Sequence, residues 1–348
     1  MSARDLSREM PVAVPAPVWT AGVASDRGLV RDRNEDRYWL DTERGAFLVV
    51  DGLGGHAAGE LAAETAVETI RGSLFAGGPD AEDRVRHAIL KANNRIFEMA
   101  QEAGDRKGMA CVLTLALVED DRITIGHVGD SRLYLIWKGA IRKLTSDHSP
   151  VGEDEDSGEL TEEEAMQHPR RNEVFRDVGS HRRETGDTDF VEIRRCRFRP
   201  DAAILICSDG LTDRLTSAQV REIAERYDGD AARVAAELVA SANQAGGQDN
   251  ITALFVAGPE FRGRSVKTRP RPWGVGRRTA PLARGQDESE RAVPAAAGSP
   301  VSSGGREGAA VRRWAGLLTG RVAFLTYGIL IGMVLWMALR MIGKGVMR

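Results

Sequence analysis

Two wholly apolar runs in this chain each give way to an aspartate and a glycine. Ala46-Phe47-Leu48-Val49-Val50 leads into Asp51-Gly52, and Ala202-Ala203-Ile204-Leu205-Ile206-Cys207 leads through Ser208 into Asp209-Gly210. Runs of this length and composition read as buried strands, so both carboxylates should emerge at a sheet edge. An unpaired carboxylate is costly there. Asn34-Glu35-Asp36 and Asp249-Asn250 supply further acidic words at expected strand ends. Aspartates and glycines without thiolate or histidine partners suit Mg²⁺ or Mn²⁺, which prefer oxygen ligands in near-octahedral geometry, better than zinc. Any single Asp-Gly is more often an ordinary turn; the set carries the metal reading.

The order of the words adds a family resemblance. Gly28 to Asp36, Asp51 to His56, Val128-Gly129-Asp130-Ser131-Arg132, Ser208 to Leu211 and Gly247 to Thr252 follow the sequence order of the protein phosphatase 2C family. Over about residues 18 to 258 the chain resembles a bacterial member, and several motifs in one order are far more specific than any alone. Further strands are indicated at Val18 to Ala24, Cys111 to Val118, Ile123 to His127, Leu133 to Trp137, Phe190 to Ile193 and Ile251 to Val256. Helical spacing marks Glu60 to Leu74, Ala81 to Gln101, Ser217 to Arg226 and Asp230 to Ala240, with Ser217 and Asp230 in N-cap position. This pattern gives an α+β class. The resemblance implies the finer form, a four-layer α-β-β-α sandwich of two antiparallel sheets flanked by helices.

It also implies the activity: hydrolysis of phosphoserine and phosphothreonine in proteins. Two ions about 3.5 to 4 Å apart lower the pKa of a bridging water and screen the phosphoryl oxygens during in-line attack. By resemblance Asp51 bridges the pair, and Asp209 and Asp249 complete one metal. The Gly52 carbonyl serves the second, which Glu35 and Asp36 hold directly or through waters. Asp130 resembles the carboxylate that joins Asp209 around a weaker third metal. Arg31, five residues before Asp36, is placed to grip the substrate phosphate with its planar fork of donors. The acidic stretch Asp147 to Ala165 corresponds to a flap near the active site, although acidic runs are usually solvated surface.

Two departures from the family pattern stand out. Eukaryotic relatives carry a histidine after the Asp-Gly, proposed as the acid for the leaving group, where this chain has Leu53; His56 stands three residues on. Without that acid, protonation of the leaving group is left to metal-bound water. Ala110-Cys111-Val112 replaces the usual Gly-Thr-Thr and bears no ligand.

Charge divides the chain in two. Residues 1–258 hold 32 Lys and Arg against 46 Asp and Glu, a net of −14, whereas 259–348 hold 16 against 5, a net of +11. The expected organisation is an N-terminal extension (1–17), a catalytic domain (18–258), a Pro/Gly/Arg-rich linker (259–313) and a C-terminal membrane anchor (314–348). The 55-residue linker cannot build a core, and as a coil it spans about 40 Å. Val322 to Leu339 is eighteen residues without a charge, about 27 Å as a helix and enough to cross a hydrocarbon core. With nine residues after it, this reads as a single-pass tail anchor. Nothing at the N-terminus has the apolar length of a signal peptide, and arginines 262 to 284 favour a cytoplasmic catalytic domain at the inner membrane. Gly328 and Gly332 form a Gly-x-x-x-Gly pair able to dimerise the anchor weakly. Cys111, Cys196 and Cys207 read as reduced thiols, two of them in apolar runs.

The expected partners are phosphorylated proteins, among them a serine/threonine kinase or its targets, and the bilayer. A partner-switching phosphatase is the alternative within the superfamily, weakened because no sensor domain appears. A phosphoprotein-binding module without catalysis would be favoured had Asp51, Asp209 or Asp249 been lost. A metal-dependent nuclease is disfavoured and no nucleic-acid partner is expected, because the acidic catalytic part repels a polyanion.

Overall fold

The computed structural model describes residues 19–54, 57–102 and 108–264. In chain order the elements are β1 (Thr20–Asp26), β2 (Arg37–Asp41), β3 (Ala46–Leu53), α1 (Ala57–Ser73), α2 (Ala81–Glu102), β4 (Ala110–Glu119), β5 (Arg122–Val128), β6 (Arg132–Trp137) and β7 (Ala140–Lys143). There follow α3 (Pro150–Ser157), α4 (Glu162–Met166), β8 (Glu192–Arg197), β9 (Ala202–Cys207), α5 (Asp209–Thr212), α6 (Ser217–Ala224), α7 (Ala231–Gln244) and β10 (Ile251–Ala257).

Strand residues alternate between faces, and here both faces are buried, which is why the runs are apolar throughout. In β3, Leu48 and Val50 pack against α1 and α2, while Phe47 and Val49 point into the space between the sheets. In β9, Ile204 and Ile206 meet them from the opposite sheet, while Leu205 and Cys207 face α7. Three apolar cores thus separate four layers. One sheet runs β1-β10-β9-β6-β7 and the other β2-β3-β4-β5-β8, antiparallel throughout. The expected sandwich is therefore present in the described residues, and all three cysteines are free thiols.

Several boundaries differ from the sequence reading. Thr216, not Ser217, caps α6: its hydroxyl accepts from the Gln219 N–H while the Gln219 side chain returns to the Thr216 N–H, a capping box. Asp230 caps α7 as expected. Phe190 and Val191 are core residues ahead of β8 rather than part of it. β2 and β7 were not indicated by any apolar run. Among the described residues no helix is long and apolar enough to cross a membrane. The N-terminal extension, His56, most of the linker and the 322–339 segment lie outside the described residues.

Candidate active site

The acidic residues singled out in the sequence converge at one end of the two sheets. Asp36 directly precedes β2, and Asp130 sits in the turn between β5 and β6. Asp209 opens α5 just after β9, and Asp249 lies two residues before β10. Asp51 belongs to β3, which continues three residues past Val50 because Asp51 to Leu53 stay paired with Val112 to Ala110 of β4. Each sheet contributes, so the cluster exists only when the sheets are packed together.

Its electrostatics are those of buried carboxylates crowded together with too little counter-charge. Burial, then the charges of Asp36, Asp209, Asp130 and Asp249, holds the Asp51 carboxyl well above the ordinary range. Burial and the neighbouring Asp130 charge do the same to Asp209. Burial pushes Asp36 up to about 6 and Asp130 up to about 7. Asp36 Oδ1 and Asp209 Oδ1 are buried with no hydrogen-bond partner. Buried oxygens of this kind cost free energy unless a partner meets them, and oxygen-only donors converging in one place fit a hard divalent cation.

A network of neutral side chains fixes the ligand-bearing segments. Asn250 Nδ2 donates to the Arg27 carbonyl at 3.0 Å and the Arg33 carbonyl at 2.8 Å, and its Oδ1 accepts from the Glu35 N–H at 2.7 Å. One amide therefore ties the Asn34–Asp36 words to the end of the first sheet. Ser208 makes no cap bond to α5; its hydroxyl donates instead to Asp36 Oδ2 at 2.8 Å. Sequence reasoning gave neither residue a role. Gly52 and Gly59 pass so closely that a Cβ on Gly52 would lie 2.4 Å from the Gly59 carbonyl oxygen, and one on Gly59 would lie 2.1 Å from Glu35 Oε2. Backbone and the Glu35 carboxylate can share that space only if both positions lack a side chain.

Arg31 is half exposed and donates from Nη2 to Asp249 Oδ2 at 2.7 Å. It borders a cleft of about 220 Å³ with Arg171, Arg214, Asp213 and Asp249. The acidic segment forms α3 and α4 and is pinned by Arg132, which pairs with Asp147 and with Glu155, each at 2.6 Å. A polar cavity of about 30 Å³ lies between these helices and Asp130, Asp209 and Asp213. Arg171 beyond α4 pairs with Asp213 at 2.7 Å, whose carboxyl is raised mainly by burial. Leu53 ends β3.

A second group with metal-ligating side chains, His127, His148 and Glu192, lies behind the site. His127 is satisfied by Thr114 Oγ1 at 2.9 Å and the Ser146 carbonyl at 3.1 Å. His148 Nδ1 accepts from the Gly129 N–H at 3.0 Å, and the Arg176 guanidinium lies 3.0 Å from Nε2. A guanidinium at the free nitrogen repels a cation, so this trio braces the Gly129–Asp130 turn.

Residues 29–254 match the family model described as Protein phosphatase 2C. The serine/threonine phosphatase stp of Listeria monocytogenes is 34% identical over 242 residues, covering 67% of this chain and 93% of that protein. The protein phosphatase PhpP of Streptococcus pneumoniae is 33% identical over 240 residues, covering 67% and 95%. Among solved structures, the serine/threonine phosphatase PstP/Ppp of Mycobacterium tuberculosis superposes with a TM-score of 0.62 at 31% identity, over 69% of this chain and 99% of that one. A PstP catalytic domain in complex with two manganese ions gives 0.61 at 29%, over 69% and 98%.

Proposed function

Because this chain belongs to the protein phosphatase 2C family, we infer that its buried carboxylate cluster is the centre of a Mn²⁺- or Mg²⁺-dependent phosphatase acting on phosphoserine and phosphothreonine in proteins. The observation that carries the assignment is the pair of buried, unpartnered oxygens on Asp36 and Asp209 within a set of carboxylates whose pKa values are raised by burial and then by one another's charges. Asp51, Asp209 and Asp249 would hold one ion. Asp51, the Gly52 carbonyl, Glu35 and Asp36 would hold the second, and Asp130 with Asp209 a third in the small cavity beneath α3 and α4. When bound, such ions supply an activated water and neutralise the transferring phosphoryl group. The chain's own part is placement. Asn250 and Ser208 fix the carboxylates before any ion arrives, and Arg31, Arg171 and Arg214 line the open cleft where a phosphate dianion would enter. Arg31 can exchange Asp249 for phosphate oxygens with little movement, since its guanidinium is already at the cleft edge. Leu53 donates no proton, so the leaving serine or threonine oxygen must be protonated from solvent within the site.

Phosphate release from a phosphothreonine peptide tests this directly. Wild-type turnover should require added Mn²⁺ or Mg²⁺ and stop in excess EDTA, and Asp209→Asn and Asp249→Asn should each lose at least about a hundredfold. Near-full activity in either variant, or in chelator, would sink the assignment.

We also propose that residues 322–339 tether the enzyme to the inner membrane with the catalytic domain on the cytoplasmic side. The support is eighteen uncharged residues bounded by Arg321 and Arg340, in a tail that is strongly basic. The same segment, through Gly328 and Gly332, would allow weak dimerisation. The full chain should pellet with membranes and resist carbonate extraction; recovery in the high-speed supernatant would overturn the tether.

A further inference from the structure

At the end of the sandwich away from the carboxylates, the two sheets part between their terminal strands, β7 of one and β8 of the other. Between them is a cleft of about 370 Å³. Trp137 and Ala202 lie at the far ends of β6 and β9, whose other ends lead to Asp130 and Asp209. At about 3.3 Å per strand residue, that is about 17 Å from the Arg132 end. The cleft is an unfilled margin of the core between the sheets, because Leu135, Trp137 and Cys196 pack against that core yet remain only half-buried. Ala140 of β7, registered opposite Trp137, completes the wall on this face, whereas Ile141 turns to the outer core beneath the helices.

The rim is cationic in a domain that is otherwise acidic. Arg142, Arg197 and Arg199 border the opening. Arg197 and Arg199 have exposed carboxylate partners in Asp121 and Asp201, but Arg142 has no ion-pair partner among the described residues. Arg142 and Arg194 both act electrostatically on the Cys196 thiol, which places them at the same spot. The last described residue, Arg264, donates to the Lys138 carbonyl at 3.1 Å in the adjoining turn, adding a further guanidinium nearby.

An apolar cavity of this size with a few convergent charged groups has the form of a ligand site. We propose that this cleft binds a small amphipathic anion, an aliphatic or aromatic body inserted between β7 and the β8–β9 connection with a single carboxylate or phosphate held by Arg142 and Arg199. A neutral apolar molecule would forfeit the charge-assisted contacts. A larger polyanion would meet the acidic remainder of the domain.

The full chain in discs of zwitterionic phosphatidylcholine provides the test, with the alkylation rate of Cys196 read by peptide mass spectrometry. Buried Cys111 and Cys207 serve as internal controls. Decanoate should slow Cys196 labelling at least about tenfold at saturation, while decanol and decyltrimethylammonium should change it less than about twofold, as expected where a guanidinium rim selects the anion. Arg142→Glu should raise the decanoate concentration needed at least about tenfold and leave phosphopeptide hydrolysis unchanged, because it reverses the rim charge far from the carboxylates. Should Cys196 react too slowly to follow, Ala140→Cys, opposite Trp137 on the cleft face, carries the same readout. Protection by phosphatidylglycerol in the disc, sensitive to Arg142→Glu, would identify a membrane lipid as the source; protection by free decanoate alone would identify a soluble one. No protection by either, or equal protection by decanol, overturns the proposal.

Discussion

Asn250 shows how a residue without charge can decide a charged site. Its amide spans three backbone groups from the segment carrying Glu35 and Asp36, so its removal should loosen the ligands without removing any of them. Asn250→Ala should therefore raise the Mn²⁺ concentration for half-maximal activity at least about tenfold, with part of the lost rate recovered at high Mn²⁺, as when an outer support of a metal site is lost. An unchanged Mn²⁺ dependence would remove Asn250 from that role. Arg31 should behave differently. Held by Asp249 at the cleft edge, it is placed to grip phosphate in ground and transition states alike, so Arg31→Ala should raise KM more than it lowers kcat. Its loss also frees Asp249 Oδ2, so calorimetric Mn²⁺ affinity should not fall. Asp51, Asp130, Asp209 and Asp249 could be read from sequence because each adjoins a strong strand signal, whereas Glu35 and Asp36, ahead of the weak strand β2, were legible through the ordered motifs. Asn250, Ser208, Arg171 and Asp213 could not, because their roles depend on partners brought together by the fold, as with Ser208 and Asp36 or Arg171 and Asp213.

Among the elements, those buried on both faces were legible, as was the edge strand β1, whereas the short marginal strands β2 and β7 were not. β3, β4, β9 and β10 are largely apolar runs whose two faces fill two cores. β2 and β7 are short and partly charged, and they are fixed by pairing to β3 and β6 rather than by composition. β8 is an edge strand reading EIRRCR, so the apolar cue at Phe190 and Val191 pointed to core residues just ahead of it. The segment carrying α3 rests on Arg132. Burial alone would raise the Asp147 carboxyl, yet Arg132 and Lys143 hold it below its ordinary value. Arg132→Met leaves that carboxylate buried without its main partner and should cost about 3–5 kcal/mol. Pairing the change with Asp147→Leu should recover most of the loss. Urea unfolding in saturating Mn²⁺ measures both; a single variant as stable as wild type would mean that the segment is held elsewhere.

For the molecule as a whole, the carboxylate cluster ties stability to pH and metal together. Without metal, Asp36 at about 6 and Asp130 at about 7 retain protons that the unfolded chain has released above its ordinary value near 3.8. Their favourable contribution is fully present below about pH 4 and is lost as pH rises through 6 to 7. His148, lowered to about 3 chiefly by burial, works the other way but is common to both metal states. The rise in Tm produced by Mn²⁺ should therefore be larger at pH 7.5 than at pH 5.5, since protons compete with the ion for the same oxygens. Calorimetric scans at the two pH values would refute this if the rise were equal or reversed.

β10 is the last strand of the domain to be made, yet it lies between β1, the first, and β9. Asp249 arrives with it. On the ribosome, the emerging chain can assemble the β2-to-β5 layer and its helices early, but the first sheet stays open until about residue 257 is free. Synthesis thereby imposes an order of its own: a chain stalled or released before β10 is made lacks both its closing strand and a ligand, so no copy cut short within the catalytic domain can strip phosphate from the cell's proteins.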